Sequence, residues 1–190
     1  MALAACALLA GCATYDSGVD VTRFHLEQPA ARGTVFLEPA MLEDVGTLEF
    51  RTYASVVAAE LRETGFDVTS DRMAAELLGT IDIAQASREA LARRSPVTVG
   101  VGGGTGGRGG GIGIGTTFGL GGSGNDEVTE TMLALRLLRL SDESVIWEGR
   151  AITESGDDTS VADVLPDLAD ALLRDYPGES GQTVTYSPSD

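Results

Sequence analysis

Val128-Thr-Glu-Thr-Met-Leu-Ala-Leu-Arg-Leu-Leu-Arg-Leu140 leads through Ser141-Asp-Glu-Ser144 into Val145-Ile-Trp-Glu-Gly-Arg-Ala-Ile-Thr153. Leucine and arginine in the first arm suit a helix as well as a strand. Alternation points to the strand: Thr129, Thr131, Leu133, Leu135 and Leu137 recur at period two. The four-residue polar turn and the β-branched and aromatic second arm complete a hairpin of two long strands.

Working outward, Leu77 to Ser87 repeats the pattern, with Leu77, Gly79, Ile81 and Ile83 on one side. Val19-Asp-Val21 alternates, Phe24 and Leu26 continue the apolar thread, and a short strand is expected near 18–26. Thr34-Val-Phe-Leu-Glu38 is a second short strand, stopped by Pro39. Between Thr47 and Thr64 the period becomes helical: Phe50, Tyr53, Val57 and Leu61 share a stripe. Thr47 is placed to cap that helix and Gly65 to end it. Phe66-Asp-Val68 is briefly extended, and residues 70–76 form a loop or a single helical turn. Ser160 to Asp175 gives a second amphipathic helix along Val164, Leu168, Ala171 and Leu172. Ser160 with Asp163 resembles a capping box, Pro166 suggests a late start, and Tyr176-Pro-Gly178 ends it. The expected fold class is α/β (α+β): a mostly antiparallel sheet packed by two amphipathic helices, with a glycine-rich β-hairpin.

That hairpin is expected within residues 97–124. Of the 25 residues from Gly100 to Gly124, 15 are glycine, so ordinary packing cannot specify the segment. The remainder is patterned, since Val97, Val99 and Val101 alternate, as do Ile112, Ile114, Thr116, Phe118 and Leu120. Two arms with an aliphatic face and a glycine face result, a candidate surface for a partner. Glycine leaves their register weakly specified, so packing against something else must order them.

The chain opens with Met1-Ala-Leu-Ala-Ala-Cys-Ala-Leu-Leu-Ala-Gly-Cys12. This apolar run is too short for a bilayer, which takes roughly 20 residues. It matches the core of an export signal, and Leu9-Ala10-Gly11-Cys12 resembles a bacterial lipoprotein processing site. Cleavage between Gly11 and Cys12 would leave Cys12 to carry acyl chains, palmitate among them, and so to hold the protein on a membrane. No basic residue precedes the run, which points to a start upstream of Met1. Ala13 rather than Asp after the cysteine favours, by resemblance to Gram-negative sorting, the outer membrane facing the periplasm.

The net charge of −16, with all 13 cations arginine, opposes nucleic-acid binding and leaves anchoring to acyl chains rather than to a basic patch. With Cys6 in the signal and Cys12 lipidated, no thiol remains for a disulfide or a nucleophile. His25 is the sole histidine, so neither a histidine metal cluster nor a Ser-His-Asp triad is built around a second one. Gly104-Thr-Gly106-Gly-Arg-Gly109 satisfies G-x-G-x-x-G only because the tract is glycine, and no helix follows it. The acidic pairs Asp126-Glu127, Asp142-Glu143 and Asp157-Asp158 fall in expected turns and read as solvated. No catalytic group, metal or cofactor is expected.

Val145-Ile-Trp147-Glu-Gly149-Arg-Ala151, entered from a leucine-rich strand and an Asp turn, resembles bacterial lipoproteins carrying domain of unknown function 4136. The lipobox, early strand, first helix, glycine-rich segment and closing helix near a proline are similar too, over about residues 18–178. The resemblance implies an α/β envelope lipoprotein with no established activity. From the residues alone, Trp147 reads as a core anchor and Gly149 as a bulge or a site of close packing. The domain layout is then signal peptide 1–11, lipidated tether 12–17, one α/β domain 18–178 and a flexible polar tail 179–190. The function expected is a non-enzymatic, membrane-anchored lipoprotein that binds an envelope protein partner or supports assembly. The alternatives are self-association or membrane insertion through the glycine-rich hairpin and, less favoured, a carboxylate-dependent envelope hydrolase.

Overall fold

In the computed structural model, residues 18–26, 32–87, 128–156 and 158–187 are described. They form strands β1 (Val19–His25) and β2 (Thr34–Pro39), helix α1 (Leu48–Glu63), and strands β3 (Asp67–Thr69), β4 (Leu77–Ser87), β5 (Val128–Arg139) and β6 (Ser144–Gly156). Helix α2 (Val161–Leu173) and β7 (Thr183–Tyr186) close the chain. One sheet holds the strands in the order β3-β2-β4-β5-β6-β1-β7. Its β2/β3 and β2/β4 pairs are parallel and the other four are antiparallel.

The long hairpin β5–β6 forms as its alternation predicts, and β4 lies along β5 from Leu77↔Arg139 to Ser87↔Thr129. Leu133, Leu135 and Leu137 turn inward with Trp147 and Ala151 of β6 and Val19 and Val21 of β1. Val57 and Leu61 of α1 and Leu165, Leu168 and Leu172 of α2 complete the same buried cluster. Thr47 caps α1 as expected, its Oγ1 accepting from the Phe50 N–H at 3.1 Å, and Gly65 follows with φ +100°.

Three expectations need correction, and the alternatives for Gly149, a bulge or close packing, are narrowed to the second. The apolar thread of β1 does not run through Phe24 and Leu26. Arg23 shares the inward face with Val19 and Val21, and Leu26 is 46% exposed. Helix α2 starts at Val161 and runs through Pro166, which is exposed, as is Ala162, the residue whose carbonyl loses its usual donor. Gly149 is not at the bulge. The register shifts where Leu137 faces Trp147 and Leu138 faces Val145, so Ile146 is the extra residue. Finally, the tail from 179 is polar but not loose throughout, because Thr183–Tyr186 pairs with β1 as an edge strand. The glycine-rich hairpin, with Val97, Val99, Val101, Ile112, Ile114 and Phe118, lies outside the described residues, as do Gly11 and Cys12.

Candidate functional site

Strand directions give the sheet two unlike poles. Gln85 faces Thr131, and Thr131 faces Thr153, in one row beside the start of β1. The beginnings of β1, β5 and α2, the ends of β2, β4 and β6, and the N-terminus of α1 therefore share one pole. The ends of both helices share the other.

At the first pole, Pro39 stops β2 and the chain crosses to α1 through Ala40–Gly46, where Gly46 takes φ +78°. A groove of about 280 Å³ opens there. Phe50 and Tyr53 of α1, Ile81 and Ile83 of β4 and Val161 of α2 supply its apolar lining. Met41, Asp44 and Glu49 stand among its other lining residues, and no arginine or histidine lines it among the described residues. Burial, then the charge and hydrogen bond of Glu49, push the Tyr53 hydroxyl above its ordinary range. The crossing loop exposes Met41, Leu42 and Val45, Leu42 at 91%, and Leu48, the first residue of α1, continues the patch at 75%.

The opposite pole has a cleft of about 350 Å³ lined by Arg32, Glu60, Glu63, Asp170, Arg174 and Tyr176, among others. This cleft mixes both signs, with two arginines among four carboxylates, Asp175 included. Arg174 pairs with Asp170, and Arg32 Nε donates to the Thr64 carbonyl at 2.8 Å while its guanidinium sits 5.8 Å from the Tyr176 ring centroid. Burial, then Glu63 and Asp170, raise the Glu60 carboxyl. Burial pushes Tyr176 up to about 12 against the lowering effect of Arg32.

Trp147 and Gly149 belong to packing. Trp147 is 1% exposed, its Nε1 donates to the Pro177 carbonyl at 3.0 Å, and its ring centroid lies 5.5 Å from that of Tyr176. A methyl on Gly149 would meet Trp147 Cη2 at 2.5 Å, so close packing is the reason for glycine there. His25 sets its ring nitrogens against the Leu26 and Gly178 carbonyls, and the nearby Ser180 hydroxyl accepts from the His25 backbone N–H at 3.2 Å rather than pairing with the ring. Asp142 is a turn residue: the Ser144 hydroxyl and N–H, and then Arg139, hold its carboxyl below the usual range. Among the described residues no three His, Cys, Asp or Glu side chains converge on a metal-sized site. No helix there is long and apolar enough to cross a membrane.

The sequence reading missed the groove and its exposed loop. The available signal was Met41-Leu-Glu-Asp-Val45-Gly-Thr-Leu48, where apolar residues fit neither strand nor helix periodicity.

With this geometry in place, comparison with known proteins assigns the chain. The family described as Domain of unknown function (DUF4136) matches residues 15–178. The chain belongs to that family. An uncharacterized protein of Zymomonas mobilis is 30% identical, with 87% of this chain and 78% of that protein aligned. A PDZ domain protein from Parabacteroides distasonis shares the fold at a TM-score of 0.53 and 11% identity, over 90% of this chain and 39% of that one. Weaker structural similarity reaches the PelC dodecamer from Paraburkholderia phytofirmans, at a TM-score of 0.45 and 13% identity over 80% and 95% of the two chains. Lipoprotein GNA1162 from Neisseria meningitidis gives 0.35 and 13% over 74% and 94%. The DUF4136 family name carries no reaction, and neither does the Zymomonas mobilis relative.

Proposed function

We propose that this DUF4136 protein is a non-enzymatic envelope lipoprotein, anchored through acyl chains on Cys12, whose α/β domain docks a protein partner or supports assembly. The observation that carries the reading is where the tether enters. Five residues lie between Cys12 and Gly18, six steps of chain with a reach of at most about 22 Å, and Gly18 leads into β1 at the pole that also bears the groove. A lipid on Cys12 therefore keeps this pole near the bilayer. β4 ends and β5 begins at the same pole, so the glycine-rich segment is tied there as well. Ala13 after the cysteine favours the outer membrane, with the domain on its periplasmic side. Val97, Val99, Val101, Ile112, Ile114 and Phe118 would present a backbone edge and small apolar side chains, to which a partner can add a strand.

Labelling cells with a palmitate analogue tests the anchor: the label should enter the protein and vanish in Cys12→Ser. Photocross-linking from Val99 and Ile114 tests the docking role. A discrete envelope protein supports it, whereas adducts formed only with other copies of this chain would replace it with self-association.

A further inference from the structure

The groove and the loop in front of it carry the inference furthest. Four of the large apolar side chains exposed among the described residues (Met41, Leu42, Val45 and Leu48) fall within one eight-residue stretch. A concentration of this kind marks an interaction surface rather than scattered surface apolarity. Met41 joins the loop to the groove, so the apolar surface continues inward onto Phe50, Ile83 and Val161.

Charge selects among the occupants. The groove is lined by the acidic residues Asp44, Glu49 and Asp82 without an arginine, whereas the cleft at the opposite pole carries Arg32 and Arg174 among its carboxylates. A lipid surface that received Leu42 would also receive Glu43 and Asp44, the next two residues, at a desolvation cost that rises in anionic lipid. The volume, about 280 Å³, suits two or three side chains and falls just below the usual range of small-molecule pockets.

We propose that this surface receives a cationic amphipathic segment of a protein partner. Its apolar side chains pack on Phe50, Ile83, Val161 and the Leu42–Leu48 loop, and its Arg or Lys side chains meet Asp44 and Glu49. This rests on the partner-docking reading above and names the chemistry of the partner.

The test uses the chain from residue 12 with Cys12→Ser, which removes any acyl chain, and two synthetic helical peptides. Both have the same leucine spacing; lysine fills the polar positions of one and glutamate those of the other. Calorimetric titration should show saturable binding of the Leu/Lys peptide and none of the Leu/Glu peptide. Leu42→Ser/Leu48→Ser, which removes the apolar contacts without adding charge, should weaken binding by roughly tenfold or more. Asp44→Asn/Glu49→Gln should weaken it and flatten its salt dependence. Glu60→Gln/Glu63→Gln, which removes the same charge at the other pole, should leave it unchanged.

Equal weakening by the two carboxylate pairs would reduce the effect to bulk charge and overturn the proposal, as would parental affinity in the loop variant. Binding to phosphatidylethanolamine/phosphatidylglycerol vesicles that needs Leu42 and Leu48, without peptide binding, would make the loop a lipid contact instead. Because the titration uses an unacylated chain, these failures are separate from any failure of Cys12 labelling or of cross-linking at Val99 and Ile114.

Discussion

Arg23 Nε donates to the Leu172 carbonyl at 3.0 Å and so ties the first strand to the last turn of α2. Its Nη2 reaches the Ala171 and Arg174 carbonyls at 2.6 and 2.9 Å, and Nη1 donates to the Tyr186 hydroxyl at 3.1 Å. The terminal carbonyls of a helix lack intrahelical donors, and its C-terminus favours a cation. An arginine that is only 2% exposed therefore satisfies the helix end without a carboxylate. Tyr186 lies between Arg23 and Arg174, at 5.3 and 5.2 Å from its ring centroid, which fastens β7 to the same site.

Arg23→Met should fill similar space yet leave those carbonyls without donors. We expect a loss of about 3 kcal/mol or more in urea unfolding at unchanged slope. Arg23→Lys should recover only part of it, because an ammonium lacks the planar fork that serves several acceptors together.

Gly149→Ala would place its methyl 2.5 Å from Trp147 Cη2 and 2.8 Å from Leu172 Cδ1. The expected loss is about 1–3 kcal/mol. Trp147→Phe removes the ring atoms in the way, so the double variant should unfold at higher denaturant than the summed single losses predict. Strict additivity would mean that the two residues do not press on one another.

Glu130 faces Glu154 directly across β5 and β6. Burial, then the Glu154 charge, raise its carboxyl above the ordinary value. The folded state thus binds this proton more tightly than the unfolded chain does. Its contribution is full below the unfolded value and is lost as pH rises through the folded one. Glu130→Gln should melt higher than the parent near pH 7, and the advantage should shrink toward about pH 4.

Asp163 has the opposite sign. It accepts from the Ser160 hydroxyl at 2.6 Å and the Ser160 N–H at 3.0 Å, and these bonds hold its carboxyl below the usual range. Its contribution exists above the unfolded value and disappears as pH falls through the folded one. Asp163→Ala should lower the thermal midpoint near neutrality and match the parent at about pH 2. A constant deficit across that range would assign the effect to something other than the cap.

Much of the local structure was legible because it rests on short-range rules. Alternation marked β4, β5 and β6, helical spacing marked α1 and α2, and Thr47 signalled its own cap. The misreadings share a cause. The apolar thread of β1 was followed to Phe24 and Leu26 because the partners that bury Arg23 lie some 150 residues away, and the tail looked loose because the pairing of Thr183–Tyr186 depends on β1. Of the candidate site, the sequence reading singled out Phe50, Tyr53, Ile81 and Ile83, as positions on a helix stripe and a strand face, but neither the groove that they line nor its loop.

The sequence by itself determined strands β1, β2, β4, β5 and β6, the two helices with their apolar stripes, and the lipobox pattern at Cys12. Those follow from period, capping chemistry and composition, all of which act over a few residues. Tertiary structure alone decided that β1 lies between β6 and β7, that Arg23 closes α2, and that tether, groove and exposed loop share one pole. Such relations depend on the strand order and direction of the whole sheet, which no local period encodes.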